Sequence, residues 1–323
     1  MRVVVIGATG HVGGYLVPRL VTAGHEVVAI SRGRRSLYRD DPAWDRVERV
    51  TADRDAEDAT GTFASRIAAL HADVVVDMVC FTPASAAQLL EGLRGTGARL
   101  VMCGTIWTHG TLTAVPVREH EDRTPWGDYG VQKAAIEDLV LAEAARPDGV
   151  RASMLHPGHI SGPGWPVINP AGNLDPEVWR RLATGERLVL PGFGLETLHH
   201  VHADDVAQAF QLAVERPEGA DGRAFHVVSE RAVTLRGYAE QAATWWGRTA
   251  DLEFRPFDAF AATTTEEHAA TTLDHIARSP SASIDAAREH LGYAPRFSSL
   301  DTAREAVAAL AARDGSGVPP LQG

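Results

Sequence analysis

Lysine is nearly missing from this chain: of 31 Lys+Arg, only Lys133 is a lysine. Cysteine is scarce as well. Cys80 and Cys103 are the two present, both in or beside apolar strand-like runs, which suits buried free thiols rather than a disulfide or a CxxC metal site. Positive charge is short overall. A formal net charge of −11 argues against nucleic-acid binding, which needs a basic stripe. Long apolar runs are lacking too. No stretch approaches the roughly 18–20 residues of a membrane span, and the strand-like start at 2–6 is too short for a secretory h-region and lacks a small-residue cleavage site. The expectation is a soluble, cytoplasmic protein with no nucleic-acid or membrane partner. What is present is ordinary for a globular chain: 323 residues, 45% hydrophobic, 23% charged, 30 Gly and 18 Pro. That suffices for one large core, or a main domain with a smaller partner.

The lone lysine stands four residues after Tyr129, in Tyr129-Gly130-Val131-Gln132-Lys133. With 5 Tyr in the chain, a lysine placed at random would fall there roughly 2% of the time, so an accidental surface pair is a poor explanation. On a helix the i,i+4 spacing puts both side chains on one face. A compact ammonium there holds down the pKa of a phenol, ordinarily about 10, and makes tyrosine a usable acid/base.

The first half alternates β-branched runs at 2–6, 26–30, 47–52, 74–77, 98–103 and 150–155 with helical patterns at 12–23, 62–70, 83–93 and 128–145. A seventh strand is expected at 224–228. The runs show little alternation, as in strands covered on both faces, so the fold class is α/β, a doubly wound parallel sheet. Beyond residue 156 the chain becomes loop-rich and then mainly helical. Two lobes are expected: 1–155 plus about 199–231 as a Rossmann-type dinucleotide-binding domain, and 156–198 plus 232–323 as a smaller substrate lobe.

The first strand runs into Gly7-Ala8-Thr9-Gly10-His11-Val12-Gly13-Gly14. Gly7 permits the tight turn, Gly10 a close backbone approach to a pyrophosphate, and Gly13 close helix–strand packing. The phosphates would rest on a helix N-terminus near Thr9, His11 and Val12. After the second strand comes Ser31-Arg32-Gly33-Arg34-Arg35-Ser36. NAD-selective sites place an acid here. This loop carries arginines suited to a 2′-phosphate, with Ser31, Arg32 and Arg35 as contacts, so NADP is favoured over NAD.

The glycine motif, the YxxxK pair and the strand order together resemble the extended short-chain dehydrogenase/reductase superfamily, in its NAD-dependent epimerase/dehydratase group. The resemblance covers most of the chain and implies further roles. Thr105, five residues before Gly110, takes the place of the Ser or Thr that orients the substrate oxygen toward Tyr129, completing a catalytic set of Thr105, Tyr129 and Lys133. Lys133 would also bind the nicotinamide ribose. Asp53 and Arg54 stand where an acid meets the adenine edge. Met78, Cys80 and Phe81 end the fourth strand beside the cofactor and substrate. His156-Pro157-Gly158 resembles the turn that packs by the nicotinamide carboxamide, and Asp205 lies in a segment read as structural. For substrate contacts the expectation is Phe81, Trp107, His109, His159, Asn173 and His199.

Departures from the family narrow the substrate. Members acting on nucleotide sugars commonly place a pyrophosphate-clamping arginine where this chain has Leu198, with Arg278 or Arg231 as possible sources of the missing charge. The Asp-Glu pair of 4,6-dehydratases is replaced by Ile106 and Trp107, which disfavours dehydration. The abundant histidines lack carboxylate or thiol partners at ligand spacing, so no metal is expected. The implied chemistry is hydride transfer at a carbinol or ketone carbon of a small, sugar-like molecule. Three forms of it stay open: an epimerase, an NADPH-dependent reductase of a non-nucleotide carbonyl compound, and a non-catalytic binding protein on the same fold. The resemblance also implies a homodimer through helices including 128–145.

Overall fold

A computed structural model describes residues 1–34 and 36–322. The β-branched runs form seven strands: β1 (Arg2–Ile6), β2 (Glu26–Ser31), β3 (Glu48–Thr51), β4 (Val74–Asp77), β5 (Arg99–Cys103), β6 (Ala152–Pro157) and β7 (Ala224–Val227). They pair in parallel in the order β7-β6-β5-β4-β1-β2-β3. Val3 lies opposite Val27 on one side and Val74 on the other. The chain therefore starts in mid-sheet, runs to one edge, returns past β1 and builds outward to the other. The order reverses between β1 and β4, and such sheets take ligands in the crevice above the carboxyl ends at that point.

Both faces of the sheet are covered. Leu16, Val17 and Leu20 of α1 (Gly13–Thr22) and Val206 and Phe210 of α4 (Ala203–Glu215) pack on one face. On the other lie Leu89 and Leu90 of α2 (Pro83–Leu93) and Ile136 and Val140 of α3 (Gly127–Ala144). Central strands sealed on both sides need apolar residues at every position, which is why β1 and β4 read as unbroken valine runs.

A separate apolar cluster joins Trp179, Leu182, Leu198, Tyr238, Trp245, Trp246 and Val307, drawn from stretches expected in the smaller lobe. One such stretch lies elsewhere: Ala282, Ile284, Ala287, Leu291 and Tyr293 pack into the core on the α1/α4 face of the sheet. The Tyr293 hydroxyl donates to the Val228 carbonyl at 3.1 Å, tying the segment to the end of β7. Strand β6 runs two residues past its expected end, because His156 and Pro157 pair with His226 and Val227. Asp205 accepts from the Arg296 and Phe297 amides, a bracing role. Among the described residues no helix is long and apolar enough to cross a membrane.

Candidate active site

Three elements deliver the Thr-Tyr-Lys set. Thr105 follows β5 and caps a short 3-10 turn, Ile106–His109, its hydroxyl accepting from the Trp107 amide at 3.3 Å. Tyr129 and Lys133 lie one turn apart on the first half of α3. The Lys133 side chain is fully buried, and Nζ donates to the carbonyls of Cys80 at 2.8 Å and Cys103 at 2.9 Å, clasping the ends of β4 and β5. Nζ sits 4.9 Å from the Phe81 ring centroid and 5.8 Å from that of Tyr129. Buried charge survives only with such partners, and a planar guanidinium would not fit between two converging carbonyls.

Burial pushes the Tyr129 phenol up to about 12, with the Cys103 thiol adding to the rise and the Thr105 hydroxyl pulling against it. The residue is 43% exposed, so water tempers that rise. The direction is opposite to the lowering expected of Lys133, whose ammonium is spent on carbonyls.

The glycine segment makes an anion cradle. Gly7 has φ +87°, and its amide and that of Ala8 reach the Ile30 carbonyl at 3.1 and 3.3 Å. A Cβ on Gly7 would stand 2.8 Å from Val79 Cγ1, and one on Gly13 would strike the Ala8 backbone. Gly10 is exposed and Thr9 half-buried. Val12 caps α1 without any side-chain bond, leaving amides at the helix start for a phosphate. These residues fit a dinucleotide.

The remaining cofactor expectations divide. His11 turns its imidazole away from the turn, stacking on Trp165 at 4.9 Å with Tyr38 at 4.6 Å. Burial, helped by His202, lowers it to about 3. Ser31 is half-buried and Arg32 exposed at the end of β2, and Arg34 pairs with Asp53 at 2.9 Å. Asp53 also caps the Arg54–Ala59 helix through the Ala56 amide. Arg35 lies outside the described residues. Arg54 faces inward: its guanidinium is buried, bonded to Asp77 at 2.6 Å and Ser85 at 2.8 Å. Met78 is half-buried against the core, and Cys80 contributes its carbonyl to Lys133. Gly158 packs tightly on the His199 carbonyl, where a Cβ would collide.

On the substrate side, Phe81 is 55% exposed beside Lys133, and Trp107 meets Tyr129 edge-on at 5.8 Å. His159 is buried with both ring nitrogens unpartnered, between His200 and His275. Burial drives it well below its ordinary pKa, with His275 and His200 adding to the effect, so it presents one neutral donor and one neutral acceptor. Three expected contacts are instead spent internally. His109 is buried with Nε2 2.7 Å from His226 Nε2. His199 joins the Ser229 carbonyl at 2.9 Å and the Ala282 amide at 3.1 Å. Asn173 is bonded to Asn169, Asp175 and Thr272. The 3-10 turn folds His109 inward, an outcome that sequence spacing does not encode.

Sequence reasoning missed the setting of Arg278. It is buried between Trp107 and Trp126, 3.8 and 3.5 Å from the ring centroids, and donates to the Trp126 and Asp274 carbonyls. It also missed Glu137, although that residue stands four after Lys133 on the same stripe of α3.

The profile of the NAD dependent epimerase/dehydratase family matches residues 3–227. A 2′-dehydrokanamycin reductase of Streptomyces kanamyceticus is 30% identical over 256 residues, 77% of this chain and 67% of that protein. A UDP-glucose 4-epimerase of Streptomyces lividans is 29% identical over 241 residues, 68% of this chain and 73% of that protein. Among solved structures, a UDP-glucose 4-epimerase with UDP-glucose from Thermotoga maritima superposes with a TM-score of 0.71 at 19% identity, covering 96% of this chain and 98% of the other.

Proposed function

Because this chain belongs to the NAD-dependent epimerase/dehydratase family, we propose that it is an NADPH-dependent reductase acting on a ketone carbon of a hydroxylated, sugar-like molecule that carries no diphosphate. The observation behind the chemistry is the Thr105 hydroxyl acting on the Tyr129 phenol at the head of the Lys133 helix. A nicotinamide cofactor supplies the hydride. Tyr129, with a phenol pushed to about 12, is protonated at neutral pH and gives its proton to the substrate oxygen. Thr105 accepts from the Trp107 amide, so its own proton is left to hold that oxygen in line. Two of the three Lys133 N–H donors are taken by carbonyls, leaving one for a ribose hydroxyl. The exposed edge of Tyr129 lets water restore the proton.

Two observations support an unphosphorylated substrate. Leu198 is fully buried in the smaller-lobe core, so its position offers no cation. Arg278 is enclosed by two tryptophans, with Nη1 and Nη2 on carbonyls. His159 supplies neutral hydrogen bonding of the kind a hydroxyl takes, beside the Trp107 and Phe81 walls. The preference for NADPH rests on Arg32 and Arg34 at the β2 end. A second reading, epimerisation of a nucleotide sugar on a retained cofactor, is supported by the likeness to UDP-glucose 4-epimerases.

Mass spectrometry of nucleotide released by heating the purified protein separates the two. Empty protein that binds NADPH more tightly than NADH is expected, and near-stoichiometric NAD would favour the epimerase. Tyr129→Phe should reduce turnover at least about 10²-fold with cofactor affinity within about twofold. A fully active Phe variant would remove Tyr129 from the mechanism.

A further inference from the structure

Behind the reacting pair, on the side away from solvent, lies a buried polar chain that the chemistry above does not use. His156 ends β6, 2% exposed, and Glu137 on α3 is 5% exposed. The His156 Nδ1 is 3.0 Å from the Thr105 amide nitrogen and 3.1 Å from the Thr105 carbonyl oxygen. Its Nε2 faces Glu137 Oε2 at 3.4 Å. Glu137 in turn accepts from Arg123 at 2.6 Å. The imidazole reaches Thr105 only because residue 104 is glycine, since a Cβ there would overlap the His156 ring.

Resting on the reading of Thr105 and Tyr129 as the reacting pair, we propose that His156 is a positioning residue for Thr105, itself held by Glu137. The helix that carries Tyr129 and Lys133 thereby also sets the aim of the third member of the set. Tyr129, Lys133 and Glu137 stand at i, i+4 and i+8, a single stripe of α3.

Burial alone would raise Glu137, but His156 and Arg123 outweigh it and hold it at about 2, so it is ionised. The Thr105 N–H reaches His156 Nδ1 at 3.0 Å with the Thr105 carbonyl 3.1 Å from the same nitrogen, so the ring meets Thr105 through its backbone. Thr105 has an extended backbone, φ −165°, a conformation any residue adopts. Its hydroxyl is held locally by the Trp107 amide at 3.3 Å. The His156 bond and the Thr108 hydroxyl on the Thr105 carbonyl at 3.1 Å hold the backbone from which that hydroxyl is aimed.

A double-mutant cycle on kcat for ketone reduction tests this, with Thr105→Val, His156→Leu and the pair. Thr105→Val alone should lower kcat about 10²-fold and His156→Leu about 10-fold, with cofactor Kd unchanged in both. In the Thr105→Val background, His156→Leu should cost less than about twofold. Asparagine offers an acceptor where Nδ1 stands, so His156→Asn should recover kcat to within about threefold of the parent. Additive losses, or an Asn variant as impaired as Leu, would overturn the inference while the function reading stands. A fully active Thr105→Val would overturn both. If His156→Leu does not fold, Glu137→Gln carries the same cycle, and additivity with Thr105→Val overturns the inference there too.

Discussion

At the residue scale, the most legible feature was also the most constrained. Lys133 and Tyr129 could be paired from spacing alone, because the helical period dictates which side chains share a face. The surroundings of Lys133 could not be read in advance, since the Cys80 and Cys103 carbonyls come from two other strands. Lys133→Arg is expected to lower kcat by about 10²-fold although the charge is kept, because the fork cannot serve two converging carbonyls. Steady-state kinetics with a cofactor titration checks this, and a near-parental rate would show that charge alone suffices. The histidines were the least legible residues. His109, His156, His199 and His159 look alike in the sequence, yet only His159 is left with both nitrogens unpartnered. Which way an imidazole turns depends on turn geometry and on partners far along the chain.

At the scale of elements, the parallel sheet was readable nearly strand by strand, since continuous β-branched runs leave little choice. The start of α3 was not. Trp126 caps it with no side-chain hydrogen bond, and Arg278, 152 residues away, donates to its carbonyl at 2.8 Å while stacking on its ring. This contact fastens the segment after Glu266–Ile276 to the start of α3. Arg278→Leu should destabilise the protein by about 2–4 kcal/mol, from lost charged hydrogen bonds and two cation–π contacts. It should also speed amide exchange in the first turn of α3 more than in β1. Equal protection changes in both would show that Arg278 does not hold that helix start.

Across the whole molecule, many of the 14 His are buried and kept neutral. Burial lowers His199 and His109 to about 4 and His200 and His11 to about 3, and it also lowers His202 to about 4. A histidine whose folded pKa lies below its unfolded value of 6.5 favours the folded state fully above pH 6.5. As pH falls below 6.5 the unfolded chain takes up protons the folded one refuses, and each group removes about 1.4 kcal/mol per pH unit until its folded pKa is reached. Tm should therefore drop steeply between about pH 6.5 and 4, and a flat profile there would mean these rings titrate normally. Two apolar clusters flank the sheet and a third lies beside them, with the stretch around Ala282–Tyr293 joined to the first. The buried lysine has one more consequence, for proteolysis. A lysine-specific endoprotease has a single cleavable bond, Lys133–Ala134, in the first half of α3 and with the lysine side chain fully buried. Nicking at that bond requires Lys133 to leave the Cys80 and Cys103 carbonyls, so the rate of appearance of two fragments would be a clock for the opening of α3, with no label and no engineered site.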